Sequence, residues 1–291
     1  MEYTLKRPDG CNIFYTIDDY TDPWQKAETV LFVHGLAESG EAWRAWVPHF
    51  ARHYRVVRLD LRGFGRSTAM TPEHEWSMNE LLDDIEALIH HIGCSKVHLI
   101  GAKSGGSMSL ALAANRPQLV KTLVGVTPPV LPAAGIDQWV EHMNTKGVVD
   151  WAAHTMQGRL GSKASKAEVD WWIHHLQGKT ALSTLQSYLR WVPKLDIRED
   201  VKRITCPTLI ITTDRSGTKP SASGAKAARS AGVAEVVAMK GSPPVGSRTH
   251  GLGTTSCARA SPCTASNPAG ASSTSVTTCG PRCRCTRVCR T

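Results

Sequence analysis

The chain has 291 residues, of which 41% are hydrophobic and 20% are charged, and this composition excludes a mostly disordered protein. Most of its net charge of +9 arises in residues 241–291, which hold six arginines and no acid, whereas the other 240 residues carry 28 basic and 25 acidic side chains. That balance argues against nucleic-acid binding, and no apolar stretch has the length of a membrane span or a signal peptide. We expect a cytoplasmic protein.

Strand and helix patterns alternate along the first half of the chain. Apolar runs rich in β-branched residues predict strands at 29–33, 54–59, 97–100 and 122–126. Apolar residues at helical spacing predict an amphipathic helix over 78–92, and small apolar residues predict a second helix over 107–115. Because parallel strands need crossover connections, this alternation predicts an α/β fold with a mostly parallel sheet and helices on both faces.

Residues 128–203 contain helical patterns only and are rich in tryptophan. Strand character returns at 208–213 and again at 236–240, so we interpret residues 128–203 as a helical cap inserted into one core. The core then comprises residues 1–127 and 204–240. The tryptophans either line a pocket or pack the cap against the core.

Residues 241–291 differ in kind from the rest of the chain. They lack Phe, Tyr, Trp, Ile, Asp and Glu and hold six of the nine cysteines. Three interpretations compete: a disordered basic tail, which could bind nucleic acid, a metal-binding tail, and translation in a shifted reading frame. We favour the shifted frame and expect no metal, since the spacing of Cys279, Cys283, Cys285 and Cys289 is not a usual zinc pattern.

The strongest local signal is the segment 97–117, in which an apolar strand runs through Gly101–Gly106 directly into a helix. Gly101 and Gly105 flank one long polar residue, Lys103, which we place at the apex of a tight turn. Placing Ser104 at the apex would require a glycine at 102, where the chain has alanine. The free N–H groups of the helix N-terminus, together with the loop that follows residue 33, are suited to hold an oxyanion.

With these motifs, residues 1–240 resemble the α/β-hydrolase fold, and specifically its capped enol-lactonases, carbon–carbon bond hydrolases and esterases. His34-Gly35 resembles the oxyanion loop of that family, residues 60–67 (DLRGFGRS) resemble the turn after the following strand, and residues 101–106 resemble its nucleophile elbow. The resemblance implies an enzyme that needs no cofactor. It also implies functional roles for individual residues: oxyanion-binding N–H groups at Leu36 and Ser104, a catalytic acid at Asp214, and a substrate pocket at His34 and Gly35. His34 has a second interpretation, in which it braces its loop through hydrogen bonds.

Two positions depart from the pattern of that family. Lys103 occupies the place of the nucleophilic serine, and His250, inside the unusual tail, is the one histidine in the region that should supply the catalytic base. An exposed chance histidine explains His250 better than a catalytic one. Burial and the helix N-terminus should lower the pKa of the Lys103 amine, which could then act as a Schiff-base nucleophile, a general base, or a fixed cation for a carboxylate or enolate.

We therefore expect a capped hydrolase-fold enzyme that acts on a small carbonyl compound, such as an ester, an enol-lactone or a keto-acid. The alternative is an inactive relative, in which Lys103 has abolished hydrolysis and the cap cleft binds a small ligand or a protein partner. The oligomeric state is left open.

Overall fold

The computed structural model of the protein describes residues 1–131, 136–213 and 234–239. Within these residues, eight strands form one sheet in the order β1-β2-β4-β3-β5-β6-β7-β8. β2 pairs antiparallel with β1 and β4, and all other neighbouring pairs are parallel, which confirms the predicted mostly parallel α/β sheet. The strands are β1 (Glu2–Lys6), β2 (Asn12–Asp18), β3 (Thr29–Val33), β4 (Arg55–Leu59), β5 (Val97–Ala102), β6 (Val120–Val126), β7 (Thr208–Thr213) and β8 (Ala234–Met239).

The described residues also form α-helices. They are α1 (Val47–Phe50), α2 (Met78–His91), α3 (Lys103–Asn115), α4 (Ile136–Lys146), α5 (Val148–Leu160), α6 (Lys166–Trp171), α7 (Leu182–Trp191) and α8 (Arg198–Val201). α2 begins after Ser77, whose hydroxyl accepts the backbone N–H of Glu80 at 3.1 Å. It buries the predicted apolar face, and it ends one residue before the predicted boundary.

The positions of β3 and β5 determine where the two predicted functional segments lie. Every residue of β3 is buried, as expected for a central parallel strand. Val33, the last residue of β3, pairs with Gly101 of β5. The loop that starts at His34 and the turn at Lys103 therefore leave neighbouring strands at the same edge of the sheet.

Helices α4 to α8 lie between β6 and β7 along the chain. α7 is joined to the segment before α2, because the backbone N–H of Met70 donates to Thr184 Oγ1 at 2.9 Å and Trp76 Nε1 donates to Ser187 Oγ at 3.0 Å. Of the five tryptophans in this helical segment two are buried and three are half-buried: Trp151 and Trp172, then Trp139, Trp171 and Trp191. Most of their area therefore serves packing. The division of the chain into core and cap remains a prediction.

The hairpin β1–β2 is a correction to the sequence prediction, which begins at β3. Four of the five residues of β1 are exposed, so this edge strand has no continuous apolar run to reveal it. A turn signal was nevertheless present in Pro8-Asp9-Gly10. Gly10 has φ of 86°, and its N–H donates to the Arg7 carbonyl at 3.0 Å.

Candidate functional site

Lys103 forms a sharp turn between β5 and α3. Its φ of 53° lies in the left-handed region, which is unfavourable for a residue that carries a Cβ atom. The glycines on either side permit this turn. A Cβ atom at Gly101 would lie 2.3 Å from Ser109 Oγ, and one at Gly105 would lie 2.1 Å from the His34 carbonyl oxygen. Lys103 is therefore held where the first turn of α3 meets the end of β3.

The loop after β3 packs directly against the Lys103 side chain. A Cβ atom added at Gly35 would lie 3.1 Å from Lys103 Cβ and 3.2 Å from Glu38 Oε2. A side chain at position 35 would thus crowd both Lys103 and Glu38, and glycine avoids this crowding. The loop is tight, since Ala37 has φ of 56° and the buried Glu38 carboxylate accepts the Gly35 N–H at 3.0 Å.

His34 holds this loop in place from within the core. Its ring is fully buried, and Nε2 accepts the backbone N–H of Leu61 at 2.9 Å. Nδ1 must then carry the proton, which it donates to the Gly35 carbonyl at 2.8 Å. Burial lowers the pKa of His34 from 6.5 to about 4, while the Gly35 carbonyl and Glu38 act in the opposite direction. Both ring nitrogens thus form hydrogen bonds with backbone groups, and these bonds fix the position of the loop.

We expect His34 to make the stability of the protein depend on pH. The folded-state pKa of about 4 lies below the ordinary value of 6.5, so the unfolded chain binds the proton more readily, and this stability is lost as the pH falls from 6.5 towards 4. The predicted loss between pH 7 and pH 5 is about 2 kcal/mol. Urea unfolding at both pH values should show this loss in the wild type and not in His34→Gln. The exposed His53 provides the control, and His53→Gln should keep the wild-type dependence.

The electrostatic surroundings of Lys103 favour the neutral amine. Its pKa is lowered mainly by burial and further by the positive charge of Arg159 on α5, whereas Glu38 acts to raise it. Among the residues that the structure describes, the Lys103 amine has no hydrogen bond and no ion pair. The amine of this half-buried side chain is therefore available to a bound molecule.

Ser104, the first residue after the turn, lies beneath α7. Its Oγ is buried beside the Tyr188 hydroxyl, and neither oxygen has a hydrogen-bond partner among the described residues. Burial raises the pKa of Tyr188 to about 12, and the nearby Ser104 hydroxyl acts against that rise. The backbone N–H of Ser104 lies in the first turn of α3, where such groups have no partner within the helix. Leu36, half-buried, follows Gly35 in the loop.

The structure thus brings Lys103, Ser104, His34, Gly35 and Leu36 together at one edge of the sheet. Asp214 and His250 lie outside the described residues, as does the tail 241–291. Three residues at this site were absent from the sequence prediction: Glu38, Arg159 and Tyr188. A charged residue three positions after Gly35 was a signal for Glu38, but Arg159 and Tyr188 occupy ordinary positions in helical patterns.

The described part of the chain has no cluster of three His, Cys, Asp or Glu side chains suitable for a metal ion. In the same residues, no helix combines the length and the apolar character needed to cross a bilayer.

Comparison with known proteins finds partial sequence matches. A family model for the alpha/beta hydrolase fold matches residues 28–156. Epoxide hydrolase 3 of Xenopus tropicalis is 34% identical over 113 residues, which are 39% of this chain and 30% of that protein. An (E)-2-((N-methylformamido)methylene)succinate hydrolase of Acinetobacter baylyi is 30% identical over 98 residues, which are 34% of this chain and 36% of that protein. The chain thus matches about a third of the length of these relatives.

Similarity to solved structures extends over more of the chain than the sequence matches do. The enol-lactonase from Burkholderia xenovorans superposes with a TM-score of 0.67 at 20% identity, and the match covers 80% of this chain and 90% of that one. Identity at this level establishes the fold alone. With the matching family model and the eight-stranded sheet, it follows that the chain has the α/β-hydrolase fold.

Proposed function

We propose that this protein is an enzyme that acts on a small ketone or aldehyde through the amine of Lys103. The observation that carries the proposal is the placement of Lys103. It stands at a strained turn, half-buried beside the loop 34–38, with a lowered pKa and without a hydrogen-bond partner among the described residues. Strain and a perturbed pKa at one position are typical of functional sites.

The chemistry of an amine favours a ketone or aldehyde over an ester. Neutral Nζ attacks the carbonyl carbon, and the C=O π electrons move to the oxygen, which takes up the proton that the nitrogen loses. The resulting carbinolamine loses water to give an imine, and the imine takes a proton from solvent to give the iminium ion. In this proposal, the backbone N–H groups of Ser104 and Leu36 bind the oxyanion formed by that attack. With an ester, the same attack would expel the alcohol and leave an amide, which would block the lysine. The substrate class we propose is therefore narrower than esters, lactones and keto-acids together.

Borohydride trapping tests this proposal. We expect incubation with pyruvate, acetone or benzaldehyde, followed by sodium borohydride, to leave a reduced adduct that peptide mass spectrometry assigns to Lys103. Because the pKa of Lys103 is lowered, the trapping rate should reach half its maximum below the value of about 10.4 that is typical of lysine. Lys103→Met should remove the adduct, whereas Lys166→Met, at a lysine whose side chain is 87% exposed, should not change its yield.

An adduct spread evenly over surface lysines, or none at all, would overturn the proposal. A second candidate function is then a relative that binds a small ligand without turnover. This alternative is favoured by His34, whose two ring nitrogens are both taken by backbone groups and cannot transfer a proton. Restoration of nitrophenyl-ester hydrolysis in Lys103→Ser would show that the rest of a serine-hydrolase machinery is intact.

A further inference from the structure

Three side chains around the candidate site have N–H groups without acceptors among the described residues. They are Lys103, Arg159 and Trp151. Arginine and tryptophan side chains donate hydrogen bonds and accept none, so these two cannot satisfy each other. A surplus of donors at a partly buried site indicates a bound molecule that supplies acceptors.

Arg159 is the centre of this surplus. It lies on α5, half-buried, and its Nη1 donates to the Oε1 atom of the buried Gln177 at 2.5 Å. Gln177 is neutral. Among the described residues, no carboxylate lies within ion-pair distance of Arg159, although burial acts against its charge. A guanidinium has five N–H donors in a planar fork that fits a carboxylate, and here one of them has a partner.

Trp151 lies next to that guanidinium and is an independent observation. The Arg159 Cζ atom lies 5.7 Å from the centre of the Trp151 ring. The Trp151 side chain is 1% exposed, and its Nε1 has no hydrogen-bond partner among the described residues. A buried N–H without an acceptor is costly, and the cost is relieved when a ligand oxygen accepts from it.

Glu38 does not supply the missing acceptor for Arg159. Among the described residues, it is the one carboxylate whose charge acts on both Arg159 and Lys103. Glu38 already accepts the Gly35 N–H at 3.0 Å, its side chain is buried against the loop, and no ion pair joins it to Arg159. The remaining donors of the guanidinium are therefore open to the carboxylate of a ligand.

We infer that the site binds a small monocarboxylate, with the carboxylate group against Arg159 and the Trp151 N–H. The carbonyl group of such a molecule, a 2-oxo acid, would then face Lys103. The position of the carbonyl rests on the proposed function, whereas the recognition of the carboxylate does not. Arg159 is in this scheme a specificity-determining residue that selects acids over their neutral esters.

Calorimetric titration of the full chain tests the inference with three probes. Pyruvate has both groups, propionate has the carboxylate without the ketone, and methyl pyruvate has the ketone without the charge. We expect the wild type to bind pyruvate and propionate about tenfold or more tightly than methyl pyruvate, since hydrogen bonds to charged groups are strong. Equal affinities for pyruvate and methyl pyruvate in the wild type would overturn the inference without any variant.

Variants of Arg159 identify the residue responsible. Arg159→Met should weaken pyruvate and propionate about tenfold to a hundredfold and leave methyl pyruvate unchanged. Arg159→Lys, which keeps the charge but loses the fork, should weaken both acids by less. The control Arg198→Met removes an exposed arginine of α8 and should bind all three probes as the wild type does. Unchanged pyruvate affinity in Arg159→Met, with its melting temperature retained, would contradict the inference.

The two proposals fail in distinguishable ways. Borohydride trapping of Lys103 that proceeds equally with pyruvate and methyl pyruvate, in both wild type and Arg159→Met, would preserve the lysine chemistry and reject the carboxylate site. Propionate binding that depends on Arg159, without trapping of any keto probe, would preserve the carboxylate site and reject the lysine chemistry.

Discussion

Asp84→Asn is expected to lower the free energy of unfolding by about 3 kcal/mol, because it breaks a buried ion pair. The Asp84 side chain, 2% exposed on α2, accepts from Arg62 Nε at 2.8 Å and from Arg62 Nη2 at 2.9 Å. Arg7 Nε donates to the same carboxylate at 2.8 Å. Loss of this acceptor leaves the Arg62 guanidinium, 4% exposed, with the partly exposed Asp9 and Glu80 as its remaining carboxylate partners.

The neighbouring residue in sequence provides a matched control. Asp83 pairs with Arg116, and the Asp83 side chain is 54% exposed. Surface pairs of this kind contribute about 0–1 kcal/mol, so Asp83→Asn should change stability little. Urea denaturation of the two variants at pH 7 gives the comparison. Similar losses in both variants would mean that the buried network around Arg62 does not stabilise the fold as argued here.

Gly105→Ala is expected to destabilise the protein by about 3 kcal/mol and to abolish borohydride trapping at Lys103. The added Cβ atom would lie 2.1 Å from the His34 carbonyl oxygen and 2.6 Å from the Val33 carbonyl oxygen. Both are backbone atoms and cannot rotate away. The first turn of α3 must therefore move away from β3, which separates Lys103 from Gly35.

Gly158→Ala is the control for this substitution. Gly158 lies in α5, is exposed, and has no atom within 4 Å of an added Cβ. Alanine in a helix interior is about 1 kcal/mol more favourable than glycine, so this variant should be unchanged or slightly more stable, with trapping intact. Thermal unfolding and borohydride trapping, measured on both variants, give the comparison. A Gly105→Ala protein with wild-type stability would show that the contact between α3 and β3 is looser than its geometry implies.

Most of the sheet could be predicted from sequence because its central strands carry their signal locally. A strand buried on both faces is apolar throughout, as in β3, and an amphipathic helix repeats its apolar residues at fixed spacing, as in α2. The edge strand β1 could not be recognised in this way. Its residues face solvent at four of five positions, and it is held by pairing with β2, which is a property of the hairpin and not of either strand.

The residues of the candidate site also differ in how far they could be predicted from local sequence. Gly101, Gly105 and Lys103 are close in sequence, and a turn that needs small neighbours reveals itself in a short motif. Arg159 is 56 positions away from Lys103, at the end of a helix in which arginine is common, so nothing local marks it as part of the site.

The sequence by itself determined the parallel sheet, the alternation of strands and helices from β3 to β6, and the lysine at the turn after β5, because each depends on residues within a few positions of one another. The tertiary structure alone decided that His34 has both ring nitrogens bound to backbone groups, that Tyr188 lies over Ser104, and that Arg159 shares the electrostatic field of Lys103 and Glu38. These contacts join segments far apart in the chain. They form only when the sheet, its loops and the helices between β6 and β7 pack together, and burial then changes the pKa values of the groups involved.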